Sequence, residues 1–464
     1  MKQLLCFYFG FVSGATALAA AQPAPETRQH VLAITNVTVI DTTGSRPGKR
    51  ATVVITGDRI SDIGEPDKAS IPSGAQTVDG AGKYLLPGLW DMHMHLSLVS
   101  DSAFPLLIAN GVTGVRDMGG DLDQIDQWRD QITKGTRPGP RIIRAGPIVD
   151  GPRKEEGQHR LTVNNAAEAR QAVESLKKRG VDFIKVYHFL SRGSYFALAD
   201  EAKKQGMSFA GHIPNGVSPE EASNAGQRTL EHTTAFLQAI LAQEHPDGYT
   251  QKQLMAGAFE KLAGEEGSAL FKAIAKKGAW HTPTLVVAQS SLLRPEMAAK
   301  PDERRKYIAA ITKEHWEKNN PVPQNVSEED MAERKKALEK LFEIVGKMRR
   351  AGVSILAGTD PPTRDVFPGF SLHDELGLLV RAGLTPLEAI QAATLNAAKC
   401  LGLSDSYGTV EKGKFADLVL LEADPLAAIA NTQKIAAVIV AGKFLPEAAL
   451  QEMLAQTEEA VKPK

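Results

Sequence analysis

LWDMHMHL (Leu89–Leu96) sets Asp91, His93 and His95 at alternate positions in an otherwise apolar run. In a strand, that alternation carries all three side chains to one face. Polar groups on a buried face need partners, so the question passes to the rest of the chain.

Around this stretch, short apolar runs alternate with helical patterns. Strands are predicted at 85–95, 111–118, 141–149, 181–187, 207–213, 228–233, 279–286 and 353–360, with helical stretches such as AAEARQAVESLKKRG between most of them. Eight such units over 85–400 predict an α/β protein built on a (β/α)8 TIM barrel. An open doubly wound sheet would call for a phosphate-binding glycine fingerprint after the first strand, and none follows it. On either side, 30–84 and 401–446 have the texture of short β segments with turn residues, so a small β-sandwich domain formed from both termini is expected. Residues 447–464 read as a C-terminal tail. From about 294 to 350 the chain is dense in Lys, Arg and Glu at helical spacing. That stretch reads as an inserted helical hairpin near the barrel mouth, or as a solvated outer face. Ser218-Pro219 with Glu221, and Thr385-Pro386 with Glu388, mark two helix starts.

Ionisable residues recur at the C-terminal ends of the predicted strands. His93 and His95 end the first, Lys185 nears the end of the fourth, and His212, His232 and Asp360 end the fifth, sixth and eighth. A barrel gathers those ends at one mouth. Neutral imidazoles and a carboxylate suit a borderline divalent ion such as zinc. An ammonium among them would repel a dication and is costly to bury unpaired; carbamylated by carbon dioxide to N6-carboxylysine, Lys185 becomes an anionic bridging ligand. Each residue alone has a structural reading as a satisfied core histidine or a snorkelling lysine. Their joint recurrence at strand ends favours the metal.

LPGLWDMHMHL, GVTGVRDMGG, VDFIKVY, GHIPNGVSPEEASNAGQRTLEHT, GTDPP and HDELGLLVRAGLTPLEAIQAATLNAAKCLGL, followed by GTVEKGKFADLVLL, resemble the metal-dependent amidohydrolase superfamily. The resemblance is to its carboxylated-lysine binuclear branch, which includes Xaa-Pro dipeptidase (prolidase)-like, imidazolonepropionase-like and ochratoxin-hydrolysing enzymes. It implies two divalent ions, with His93, His95 and Asp360 on the first, His212 and His232 on the second, and Lys185 bridging both as a carbamate. It also implies a bridging hydroxide as nucleophile, with Asp360 orienting it and relaying its proton to the leaving amine. Tyr187, two residues after Lys185, is implied as a donor to the developing oxyanion; the alternative is an aromatic at the barrel rim.

Asp91 is expected to orient a ligand imidazole. His281, His188 and His373 are further candidates to reach the mouth, with a surface or packing role as the favoured alternative for each, and Arg153, Arg192 and Arg364 lie in loops where a guanidinium could grip a substrate carboxylate. Arg116 and Asp117 read as structural. The loop VDGPRKEEGQHR lacks the glycine- and histidine-rich character of many prolidase-like relatives, which bears on the substrate.

The activity implied is hydrolysis of the amide of an N-acyl amino acid or dipeptide, a class that contains ochratoxin A. The alternatives are cyclic-amide or lactone hydrolysis on the same scaffold, or a non-catalytic periplasmic metal-binding protein. With 42% hydrophobic and 23% charged residues and a net charge of −1, the chain reads as an ordinary globular protein without the basic surface that binds nucleic acid. Residues 1–21, apolar after Lys2 and ending in Ala-rich sequence, read as a signal peptide. The mature protein is therefore expected to be periplasmic or secreted, free of the membrane, and left by loss of Cys6 with Cys400 as its single thiol. Oligomeric state, including a homo-oligomer, stays open.

Overall fold

The computed structural model describes residues 30–44, 48–66, 68–153, 159–244 and 258–462. The segment read as a signal peptide, with Cys6, lies outside them. At the centre, eight strands run parallel: Leu89–Met94, Val112–Asp117, Arg141–Arg144, Ile184–Val186, Phe209–Gly211, Thr229–Glu231, Trp280–Thr282 and Ser354–Ile355. They fall into two ladders joined by single hydrogen bonds. Asp182 N–H donates to Arg144 O (2.9 Å) on one side; on the other, Met92 N–H donates to Ala357 O (2.9 Å) and Asp360 N–H to His93 O (2.7 Å). The ring is thus closed, as a (β/α)8 barrel requires.

Several strands stop earlier than the hydrophobic pattern suggests, for local reasons. The third breaks after Arg144 because Gly146 turns at φ +73°. The seventh ends at Thr282 because Pro283 offers no N–H and the helix Leu285–Leu292 follows. The eighth keeps ladder pairing only at Ser354–Ile355, after which the backbone hydrogen-bonds singly to its neighbours until Asp360, at φ +62°.

The helices around the barrel show the expected one-sided burial. Ala166–Lys178 buries Ala169, Ala172, Val173 and Leu176, while Asn165 caps its start by accepting from Ala167 N–H and Glu168 N–H. Both helix starts anticipated at Ser218 and Thr385 are complete capping boxes.

The charged stretch 294–350 is not one hairpin. It contains a helix Arg294–Ala299, a 3-10 turn Glu303–Tyr307, a helix Ala310–Asn319 and a long helix Glu328–Arg350. The last is the barrel's own helix before the eighth strand, burying Leu338, Leu341, Phe342, Val345 and Met348. The shorter pieces pack on the loop after Asp360, where Trp316 Nε1 donates to Pro362 O (2.6 Å).

Strands from the two ends of the chain form a single sheet rather than two facing ones. Its order is Lys443–Pro446, Ile435–Val440, Leu418–Leu421, Tyr84–Pro87, Val31–Val39, Lys49–Thr56 and Arg59–Gly64, with Gln76–Asp79 also paired to Val31–Val39. The expected sandwich is replaced by a sheet rolled on itself. A register break between Ile34 and Val37, with Asn36 at φ +58°, lets Val31–Val39 pair with two strands in succession. The roll encloses Leu32, Ile34, Val53, Ile55, Leu418, Leu420 and Ile439 in one core, and it meets itself where Ile60 N–H donates to Lys414 O (2.9 Å). The tail is helical over Glu447–Ala460 and packs Leu450 against Ile108 and Val438.

Gly211, one residue before His212, shows how closely the barrel strands approach. At φ +138°, a Cβ there would lie 2.1 Å from Val186 O. Gly211→Ala is expected to cost about 2–4 kcal/mol, read as a lower urea midpoint; an unchanged midpoint would show that the fifth strand does not need this approach.

Candidate active site

Six residues from five strand ends meet inside the mouth, all of them little exposed: His93, His95, Lys185, His212, His232 and Asp360. Each imidazole commits its Nδ1. His93 Nδ1 faces Glu231 Oε2 (2.8 Å), and His95 Nδ1 faces Gly119 O (2.7 Å). His232 Nδ1 meets Thr284 Oγ1 (2.7 Å), which spends its own proton on Pro283 O (2.8 Å). His212 Nδ1 shares a hydrogen bond with His188 Nε2 (2.7 Å). Three of these partners are acceptors, so Nδ1 of His93, His95 and His232 carries the proton and Nε2 presents a lone pair. The rings crowd together, with centroids 4.6 Å apart for His93 and His232 and 4.5 Å for His212 and His232.

Burial keeps these imidazoles neutral. It pushes His95 down to about 3 and His93, His212 and His232 well below the ordinary histidine value, helped by the nearby Lys185 charge. Burial also brings Lys185 down to about 8 and raises Asp360 to about 7.

These donors fit a divalent ion. Asp360 Oδ1 stands 3.6 Å from His93 Nε2 and 3.4 Å from His95 Nε2, and its Oδ2 stands 3.8 Å from His232 Nε2. Atoms held at ~2.1 Å by one tetrahedral ion lie about 3.4 Å apart. His93 Nε2 and Lys185 Nζ are buried with no hydrogen-bond partner among the described residues. Orphans of that kind are costly unless something absent from the protein itself completes them.

Behind His93 lies a buried ion pair that sequence reasoning passed over. Glu231 takes Arg116 Nη2 on its other oxygen (2.8 Å), and Arg116 also donates to Met92 O (2.7 Å) and Thr229 Oγ1 (2.8 Å). Burial pushes Glu231 up, but the Arg116 and Lys185 charges outweigh it and its carboxyl stays below the ordinary value. The available signal was a charged residue in a very short apolar strand, TLE. Asp91 does not take the role expected of it. An extra residue between Asp91 and Met94 breaks the alternation of the first strand, and the carboxylate instead accepts His93 N–H (3.1 Å), Thr359 N–H (3.0 Å) and the Thr359 hydroxyl. It fastens the first strand to the end of the eighth.

Of the weaker candidates, Tyr187 lies in the site, its ring 4.2 Å from that of His212, and burial raises its hydroxyl. Arg153 lies beside it, 5.8 Å from the Tyr187 ring. His188 supports His212 rather than reaching for substrate. His281 faces the helical layer, with Nδ1 at Leu230 O (2.8 Å) and Nε2 at Thr233 Oγ1 (3.0 Å), because it alternates with Thr282, which lies beside Arg116. His373 is engaged at both nitrogens by Thr432 and Asn110, between the barrel and the outer sheet. Arg364 is held by Glu317 and Asn320 O of the inserted segment, and exposed Arg192 pairs with Glu221. Arg160, not anticipated, stands 4.8 Å over the Tyr187 ring.

If Glu231 sets the basicity and orientation of His93, Glu231→Gln lowers zinc affinity by about 10- to 100-fold in chelator competition. Undiminished affinity in a folded variant would remove Glu231 from the site.

Comparison with known proteins agrees with this architecture. The chain is 27% identical over 423 residues to adenine deaminase 2 of Agrobacterium fabrum, an alignment covering 88% of this chain and 56% of that protein's length. It is 25% identical over 446 residues to ochratoxinase of Aspergillus niger, covering 82% and 79%. A solved bottromycin amidohydrolase superposes with TM-score 0.76 at 23% identity, over 94% of this chain and 91% of the other, and shares the fold. The amidohydrolase family matches residues 84–445, from the last strand before the barrel to the far edge of the outer sheet, and the chain belongs to that family of hydrolases.

Proposed function

We propose that the protein is a binuclear, metal-dependent hydrolase of carbon–nitrogen bonds, acting on the amide of an N-acyl amino acid or a dipeptide. The observation that carries this reading is the buried Lys185 amine, without a hydrogen-bond partner among the described residues, set among neutral imidazoles and Asp360. In this reading His93, His95 and Asp360 would hold one ion and His212 and His232 the other, with Lys185, as N6-carboxylysine, supplying a ligand to both. Zinc suits the nitrogen-rich donor set. When bound, the metal supplies an acidified water and a Lewis acid for the scissile carbonyl.

The chain's own groups supply the proton traffic. Asp360, within 4 Å of Nε2 of His93, His95 and His232, is placed to take a proton and carry it to the leaving nitrogen. The Tyr187 hydroxyl, kept protonated by burial, is a donor for the oxygen on which charge develops. The name of the ochratoxinase relative supports an amide of an aromatic amino acid, such as ochratoxin A, among the substrates. The reading of residues 1–21 as a signal peptide places this activity in the periplasm or outside the cell.

The direct test is a screen of the zinc-loaded protein against N-acyl amino acids and Xaa-Pro dipeptides, with cyclic amides and lactones as the competing class. Turnover confined to the latter would overturn the substrate reading.

Asp360→Asn is expected to lower kcat by about 100- to 10,000-fold while retaining part of the metal. A near-normal rate would take proton transfer away from it. Lys185→Ala should lose metal and activity, and short-chain carboxylic acids should restore a fraction; full activity without them would rule out the bridge. Since the Lys185 amine is brought down to about 8, its neutral form becomes the major one between about pH 7 and pH 9. Reactivation of stripped protein by zinc at fixed dissolved carbon dioxide should therefore accelerate over that range. A rate flat with pH would contradict amine capture.

A further inference from the structure

The loop after the third strand returns as a short strand, Arg160–Thr162, paired in parallel with Ile148–Asp150. This brings Arg160 and Arg153 to one carboxylate. Asp150 is buried and accepts Phe189 N–H (2.8 Å), Gly151 N–H (3.0 Å) and Arg160 Nη1 (3.1 Å), with Arg153 Nη1 at 3.7 Å. Both guanidinium groups therefore gather on the same carboxylate, Arg160 within hydrogen-bond distance and Arg153 just beyond it.

This pair of guanidinium groups lies beside the candidate site. Arg160 lies over the Tyr187 ring at 4.8 Å, Arg153 lies 5.8 Å from it and 4.8 Å from Phe189, and the Tyr187 ring is 4.2 Å from that of His212. Arg160 is one aromatic ring away from the imidazole cluster, and its charge is felt at His95, Lys185 and His188. Its side chain is 17% exposed, and besides Asp150 its guanidinium reaches the Tyr187 hydroxyl. Arg192 and Arg364 have no such position.

We propose that Arg160, steadied by Asp150 and seconded by Arg153, binds the carboxylate of the substrate. The inference rests on the amide-hydrolase reading and names its specificity determinant. In an N-acyl amino acid the carboxylate carbon lies two bonds from the scissile nitrogen, so its anchor must sit close to the metal ligands. A guanidinium has five N–H donors, so one that gives a donor to Asp150 and one to the Tyr187 hydroxyl has others to offer a carboxylate in a charge-assisted hydrogen bond. Asp150 fixes the orientation in advance, which lowers the cost of ordering a long side chain on binding.

The experiment compares acid and amide ligands on zinc-loaded wild type, Arg160→Gln, Arg160→Lys and Arg153→Gln. Turnover is followed with N-acetyl-L-phenylalanine and N-acetyl-L-phenylalaninamide, and calorimetric binding with L-phenylalanine and L-phenylalaninamide. Arg160→Gln should raise KM and Kd for the acids by about 10- to 100-fold and shift the amides by less than twofold. Arg153→Gln should show a smaller loss in the same direction. Equal effects on acid and amide, no effect, or wild type that does not prefer the acid would overturn the proposal. If Arg160→Gln fails to fold, the wild-type acid-to-amide ratio and Arg160→Lys decide it. Arg160-dependent binding of the acids without turnover would overturn the hydrolase reading and support the site; turnover indifferent to amidation would do the reverse.

Discussion

The structure turns on one constraint: four imidazoles are buried together with their Nδ1 atoms already committed. Glu231, Gly119 O, Thr284 and His188 each take one. A buried histidine in a packed core satisfies both nitrogens, as His281 and His373 do here. The cluster at the mouth leaves His93 Nε2 and Lys185 Nζ without a hydrogen-bond partner among the described residues, and His93 Nε2 stands 3.6 Å from Asp360 Oδ1, a separation that suits two ligands of one ion better than a hydrogen bond. Two buried polar atoms left unpaired in one cluster mark a site that something else completes.

The barrel is arranged to sustain that constraint. His232 and Asp360 both adopt positive φ, +61° and +62°, a conformation that non-glycine residues hold only when their surroundings impose it. For Asp360 the imposition is visible: its N–H is bound to His93 O, Asp91 ties Thr359 to the first strand, and the inserted segment grips the following loop through Trp316 and Arg364. The geometry of the cluster and barrel closure are therefore one problem, solved where the eighth strand leaves its ladder to meet the first.

The convergence of His93, His95, Lys185, His212, His232 and Asp360 was legible in the sequence because each is a polar residue at the end of an apolar run, and barrel topology does the rest. The residues that orient them were less so. Thr284 acts at positive φ beyond a proline, Glu231 hides in a strand of three residues, and Arg160 reaches Tyr187 only through a parallel pairing between segments ten residues apart. For His281 the sequence leaves the mouth and a packing role both open, because a position in a strand does not say which face is inward; it takes the packing role. Asp91 was misjudged because a bulge breaks the period on which its reading relied. The outer sheet followed the same logic: its strands were foreseeable, while the kink that rolls them into one sheet depends on an asparagine at positive φ.

The central claim, that this cluster is a binuclear centre spanned by a carboxylated lysine, is tested most directly by crystallography of the zinc-grown protein with data collected at the zinc edge. The account predicts two anomalous peaks, one beside His93, His95 and Asp360 and one beside His212 and His232, with carboxylate-shaped density extending from Lys185 Nζ between them. A single peak, or none, beside an unmodified lysine amine would contradict it.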